Sequence, residues 1–464
     1  MDETDRYIRA LLQQQGITIG ENQRELFRAF AGTEANISSV KNIRLLQQNM
    51  TKDWKIIARR AEINALQLAF PNGIAGKPYQ TKFDFKQYGL EDITAYSLSG
   101  FEGTGLAYDA NSKIISGTPK TSGDIALTFA YNFEGEEVDA TVNQRKVTII
   151  INPDPKLLWK DIPSDTNDIY AKADHVAETA SLLDFTLIAA SKRGRSHANK
   201  GSFRDDDYVY AELKNGWGII AISDGAGSAK FSRKGSLLAC NAIIDYFTAK
   251  FTEENVALLD EAITIYQTDK SIKAKLLDIA GEHLSAAAKK AYATINDFAL
   301  AANASVSDFH ATLAYVLVKK FAKGYAFLSF SVGDCPMALV DKSFEWVKPL
   351  NRLDVGEYGG GTRFITMEDI FSKENFEERF NFEFTVDLPY LVLMTDGIYD
   401  PKFEVEANLT KPEKWKAFFE DLEGNNSEGI NALTKDGDRH KNLSDWMDFW
   451  SPGNHDDRTL IVLS

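Results

Sequence analysis

The chain has 464 residues, 44% of them hydrophobic and 11% aromatic, which supplies sizeable cores, sets an expectation of two to four domains and excludes a disordered protein. A formal net charge of −15 excludes a basic nucleic-acid surface and docking on an anionic membrane. Two cysteines (Cys240, Cys335), no secretory signal in "MDETDRYIRALLQQQ" and no spanning apolar run set the expectation of a reduced, cytoplasmic protein.

Residues 1–65 carry apolar positions at mixed three- and four-residue spacing in "RYIRALLQQQ", "NQRELFRAFAG" and "VKNIRLLQQNMTKDWKIIARRAEINAL", which predicts a short helical segment. From 66 to 153 the texture turns to short β-rich runs between Gly, Asn, Ser and Asp, which predicts an all-β sandwich. Within it "GLAYDANSKIISGTPKTSGDIALTFAY" resembles the putative-Ig family of bacterial immunoglobulin-like domains. That resemblance implies a fold and leaves two roles open, an internal spacer or a protein-binding module. Residues 154–180, opening on "PDPKLLWKDIPSDTND", read as a linker.

The region 181–464 predicts an α+β domain. Helices are expected at 235–250, 254–268 and 271–302, among β-like runs such as "YVYAEL", "WGIIAI", "TLAYVLV", "YLVLMT" and "TLIVLS". In "RDDDYVYAELKNGWGIIAISDG" the "NG" turn predicts a hairpin centred between Asn215 and Gly216. That register sets Asp224 about opposite Asp207, with Asp206 and Asp205 next to it. Like charges so placed are unfavourable unless a cation neutralises them. The unit recurs in "VLMTDGIYD", with Asp396 and Gly397 after an apolar run, and in "NHDDRTLIVL", with Asp456 and Asp457 before one. An antiparallel pairing of those two strands brings their acids to one end. Each motif alone reads as a turn or a solvated loop; four acidic strand ends in one region do not. None of the six histidines forms an H-x-x-x-H pair, so zinc is disfavoured. Carboxylates with a glycine carbonyl suit Mg²⁺ or Mn²⁺.

Seven motifs in order, "GRSHANKGSFRDDDY", "ISDGAGSAKFSRKGS", "DFHATLAYVLV", "FSVGDCPMALV", "GEYGGGTRF", "VLMTDGIYD" and "NHDDRTLIVL", resemble the PPM-type metal-dependent protein phosphatases, the type 2C family, in its bacterial subgroup. The resemblance implies an antiparallel β-sandwich flanked by helices, with two Mn²⁺ or Mg²⁺ ions in a cleft at its end. It implies that Asp224 bridges the metals, the Gly225 carbonyl binds one, and Asp205 and Asp206 hold a metal or its water. Asp396 and Asp456 are implied ligands, with Asp457 a neighbour, and Asp308 lies near a third, weaker site. His197 takes the place of the family's phosphate-binding arginine, with Arg195 and Arg204 nearby, so His197 and Arg204 are the candidate catalytic residues. Many relatives carry a histidine, proposed as general acid, where this chain has Ala226. "GEYGGGTRF" reads as a mobile flap and Asp334 of "SVGDC" as a structural turn.

The resulting expectation is a serine/threonine protein phosphatase in bacterial signalling, with a metal-activated water as nucleophile. Its partners are a phosphorylated protein and a cognate kinase; no nucleic acid or membrane is expected. The alternative is a catalytically weak module that binds a phosphoprotein or kinase. An Ig-based adhesin is disfavoured by the missing signal.

Overall fold

Thr33 accepts the amide of Asn36 and so caps the longest helix of the chain. That helix, α3 (Glu34–Ala65), follows α1 (Glu3–Gln14) and α2 (Arg24–Ala31). The three meet around Ile8, Phe27, Ala31 and Val40. The computed structural model describes residues 3–136, 142–354, 361–372, 376–434 and 437–464, and the chain divides into two compact units, Met1–Leu158 and Trp159–Ser464. Among the described residues no helix is long and apolar enough to cross a membrane.

Among the described residues of the first unit, seven strands follow α3: β1 (Gly73–Ile74), β2 (Tyr79–Lys82), β3 (Ile93–Ser99), β4 (Leu106–Asp109), β5 (Ile114–Gly117), β6 (Gly123–Phe133) and β7 (Asn143–Asn152). They form a four-stranded sheet in the order β1-β7-β6-β3 and a three-stranded sheet in the order β2-β5-β4. Alternation along β6 and β7 sends Leu127, Phe129, Tyr131, Val147 and Ile149 inward. Phe83, at the end of β2, and Ile63 of α3 join the same core.

The second unit stacks four layers. One sheet has the order β10-β11-β12-β13-β16, from Asp207–Glu212, Trp217–Ser223, Leu313–Phe321, Gly324–Val332 and Phe380–Thr385. The other has the order β15-β14-β17-β18-β9-β8, from Val347–Pro349, Met337–Val340, Tyr390–Met394, Arg458–Leu463, Phe185–Lys192 and His175–Leu182. Every pairing in both sheets is antiparallel. β11 and β18 are buried at every position, which matches their apolar runs Trp217–Ile222 and Leu460–Leu463. Ile220, Ile222, Val316 and Phe327 of the first sheet meet Leu187, Leu339, Leu393 and Ile461 of the second. Helices α5 (Ser232–Lys250), α6 (Glu253–Tyr266) and α7 (Lys273–Ala301) cover the outer face of the five-stranded sheet. Three helices cover the other: α8 (Asp396–Phe403), α9 (Pro412–Leu422) and α10 (Arg439–Trp446).

The β10–β11 hairpin differs from its expected register by one residue. Asp207 pairs with Ser223, so Asp206, not Asp207, lies beside Asp224. The cause is the turn. Leu213 donates to the Trp217 carbonyl across a three-residue loop, with Asn215 (φ 57°) and Gly216 (φ 73°) both left-handed. A two-residue Asn-Gly turn would have given the other register. The antiparallel pairing of β17 with β18 is as expected. Within the span 154–180, Ile162 donates to the Ala198 carbonyl, Lys172 pairs with Asp207, and β8 begins at His175.

Candidate active site

Four strand ends converge on one edge of the sandwich. Asp205 and Asp206 lead into β10, Asp224 leaves β11, Asp396 opens α8 directly after β17, and Asp456 and Asp457 lead into β18. Two glycines permit the approach. A Cβ on Gly397 would lie 1.9 Å from the Asp457 carbonyl oxygen, and one on Gly225 would lie 2.7 Å from that of Asp205. Gly225 also forms an isolated bridge to Ala311, whose hydrogen bonds use the Asp224 carbonyl and the Ala226 amide. The Gly225 carbonyl is therefore outside that ladder.

The acids divide into two groups. Burial, then the charge of Asp396, followed by Asp206 and Asp456, hold Asp224 well above the ordinary carboxylate range. Burial and the Asp456 charge do the same to Asp396. Burial pushes Asp206 up to about 7, with the Asp457 charge adding. Two hydroxyls oppose that rise: Thr395 and Thr459 both donate to Asp206 Oδ2, at 2.8 and 2.7 Å. Burial brings Asp205 to about 6. Asp456 is open to solvent on one side, yet it is packed closely enough for desolvation and then Asp457 to raise it.

Asp457 goes the other way. Burial opposes its charge, but His197 and the amides of Gly194 and Asp205 outweigh that and lower its pKa. Its oxygens accept from Gly194 at 2.6 Å, Asp205 at 2.5 Å and His197 Nδ1 at 3.0 Å. The same bond works on the imidazole. Burial pulls His197 down, Asp457 pulls it further up, and the balance is about 9. His197 lies on the single turn α4 (Arg195–Ala198), and its Nε2 stands 3.7 Å from Asp205 Oδ2. The loop ahead of β18 is held down as well: the His455 carbonyl accepts the Ser196 amide, and Trp159 and Trp450 pack on the His455 ring.

Of the residues singled out in the sequence, Asp205, Asp206, Asp224, Asp396, Asp456 and His197 come together here. Asp207 does not; it pairs with Lys172 at 2.9 Å. Arg204 is buried, donating to Ser191 Oγ and the Ala173 carbonyl. Asp308 caps its own turn by accepting the Ser305 amide at 3.1 Å. Asp334, read as structural, adds its charge to that around Asp224 and Asp396 and accepts from Thr362 at 2.7 Å. Of the expected flap, residues 356–360 lie outside the described residues, whereas Phe364 stacks on His310 at 5.0 Å. Thr395 and Thr459 were missed. The available signal was their place directly beside "DG" and "DDR".

The donor set fits hard divalent cations. It is all oxygen, its acids repel one another, and Asp396 Oδ1 is buried with no hydrogen-bond partner among the described residues. His197, Asp456 and Asp457 offer ligand atoms within 4.8 Å of one another. Two of these, His197 and Asp457, are already paired.

Residues 193–448 match the family model described as "Protein phosphatase 2C"; the match ends before Asp456. No curated protein matches the chain. Among solved structures, the chain is similar to the serine/threonine phosphatase Stp1 from Staphylococcus aureus, with 14% identity and a TM-score of 0.33, covering 63% of this chain and 99% of that one. It is similar to the catalytic domain of serine threonine protein phosphatase PstP in complex with 2 manganese ions, with 15% identity and a TM-score of 0.35, covering 62% and 98%. It is also similar to the Mycobacterium tuberculosis serine/threonine phosphatase PstP/Ppp, with 15% identity and a TM-score of 0.31, covering 60% and 98%.

Proposed function

Because the chain belongs to the protein phosphatase 2C family, we propose that residues 181–464 form a metal-dependent domain that hydrolyses phosphoserine and phosphothreonine on a protein. Cytoplasmic bacterial signalling opposite a cognate kinase is the proposed setting. Residues 1–65 form a helical segment in this reading and 66–153 an Ig-like spacer or protein-binding sandwich, while the linker expected over 154–180 ends before His175, where β8 joins the six-stranded sheet. The observation that carries the reading is the convergence of Asp206, Asp224, Asp396 and Asp456, with Asp396 Oδ1 buried and unpartnered.

Asp224, the Gly225 carbonyl, Asp396 and Asp456 would hold two Mg²⁺ or Mn²⁺ ions, with Asp205 and Asp206 as direct or water-mediated ligands and Asp308 at a third site. When bound, such a pair supplies charge that polarises a phosphoryl group and lowers the pKa of water. The chain's own residues do the rest. A relay of hydroxyls fixes Asp206: Arg204 holds Ser191, Ser191 meets Thr459 at 2.6 Å, and Thr459 donates to Asp206. Arg204 is thus a positioning residue. Asp457 fixes the His197 ring and favours its protonated form. His197 then carries a positive charge 3.7 Å from Asp205, able to orient a phosphoryl oxygen or protonate the leaving alkoxide. Ala226 has no group to do either.

The test is Mn²⁺-dependent turnover of a phosphopeptide by the full chain, with D224N and D396N as controls. Activity that survives both substitutions, or EDTA, ends the reading. Binding without turnover across a phosphopeptide panel favours the module that recognises a phosphoprotein, a reading supported by Ala226.

A further inference from the structure

Helix α3 turns a row of large apolar side chains to solvent. Ile43, Leu46, Met50, Trp54 and Ile57 are 36, 62, 72, 67 and 57% exposed. Their spacing is three, four, four and three, which averages the 3.5 residues of a coiled-coil seam. The buried contacts of the helix lie elsewhere, through Val40 and Ile63. Monomeric proteins rarely leave such a stripe uncovered.

The row is symmetric about Met50. Residues 43 and 57 lie seven positions either side, and 46 and 54 four. In an antiparallel pair of identical helices related by a two-fold axis at Met50, Ile43 of one copy meets Ile57 of the other, Leu46 meets Trp54, and Met50 meets Met50. The neighbouring rows are compatible. Asp53 falls beside Asn49 of the other copy, Arg60 beside Asn42, and Gln47 beside Thr51, so no like charges meet. The row spans about 21 Å of helix. On a helix about 10–12 Å across, that length offers a face on the order of 400 Å², about half of what one partner buries in a standard interface. A lipid surface fits less well, because Arg44 and Arg59 lie away from the row and pair with Glu3 and Asp92.

We propose that the exposed face of α3 is a homodimer interface, in which a second copy of this chain packs antiparallel across Met50. Sedimentation equilibrium of the full chain in the micromolar range should give twice its 51.7 kDa mass. M50E and, independently, L46E should each return the single-chain mass with unchanged helical spectrum. On oxidation M50C should cross-link to itself, and L46C should cross-link when mixed with W54C but not alone. Three outcomes overturn the proposal: an unaltered chain that is monomeric throughout, a dimer that survives both glutamates, or L46C that cross-links alone. A monomeric chain whose binding to anionic phosphatidylserine vesicles is lost in M50E overturns it in favour of a lipid surface.

Discussion

Asp207 separates the observed hairpin register from its one-residue alternative. In the alternative it stands beside Asp224 as a metal ligand. In the structure it pairs with Lys172 at 2.9 Å, and the two side chains are only 12 and 11% exposed. D207N leaves the buried ammonium without its counter-charge. Removing one partner of such a pair costs about 3–5 kcal/mol. At roughly 2–4 °C per kcal/mol for a domain of this class, the melting temperature falls by about 10 °C. K172M strands the carboxylate and costs a similar amount. The double variant K172M/D207L loses less than the two single losses added, because neither charge is left buried alone. The assays are thermal melts of the four proteins in EDTA and a Mn²⁺ titration of phosphopeptide turnover below the melting range. The reasoning fails if D207N melts within about 2 °C of the unaltered chain while its Mn²⁺ requirement rises about tenfold.

Replacing Asp224 or Asp396 by Asn should abolish Mn²⁺-dependent turnover, by more than the ~10–100-fold typical of an outer-shell partner. The same variants should melt higher than the unaltered chain in EDTA, because each removes one of several mutually repelling buried charges; differential scanning fluorimetry with and without metal reads both. T395V strips a donor from Asp206 and an acceptor from the Thr459 amide, and should cost about 1–3 kcal/mol in urea unfolding. G397A should cost about 1–3 kcal/mol or more, since its Cβ has no room, whereas G227A, with open space, should stay within about 0.5 kcal/mol. In the first unit the Arg59 guanidinium holds Asp92 below its ordinary value. A depressed carboxylate stabilises the fold above its unfolded pKa and loses that contribution as pH falls through the folded one. D92N should therefore flatten the acid limb of that unit's stability curve, measured by urea unfolding between neutral and acid pH.

The strand-Asp-Gly units were legible because β11 and β17 are buried on both faces, so their apolar runs end abruptly where the acids begin. The hairpin register was not, because "KNG" satisfies a two- and a three-residue loop equally and Asn215 tolerates left-handed φ in both. The helical cover was legible from apolar periodicity, to within a few residues at each end of α5, α6 and α7. Lys172 was invisible in a Pro- and Asp-rich stretch without periodicity, since its partner lies 35 positions away. Arg204 stands out in the sequence as a cation near the place of the family's phosphate-binding arginine. Its donors go to Ser191 and Ala173, and nothing local in the sequence points to either. The threonines that hold Asp206 look like ordinary strand residues, and only the sheet pairing gives them a second role.

β18 lies between β17 and β9, and Thr459 at its start bonds Ser191, 268 positions earlier. During synthesis the six-stranded sheet therefore waits in two halves until residues 458–463 leave the ribosome. Closing so long a loop is slow, and β9 keeps an unpaired edge meanwhile. Thr459, Asp456 and Asp457 arrive with that last strand, so the acids assemble only when the sheet closes. A nascent chain that has already built its helices and hairpins still has no complete cluster. Completion of the cluster is thereby tied to the emergence of β18, and a product cut short before residue 456 lacks Asp456, Asp457 and Thr459.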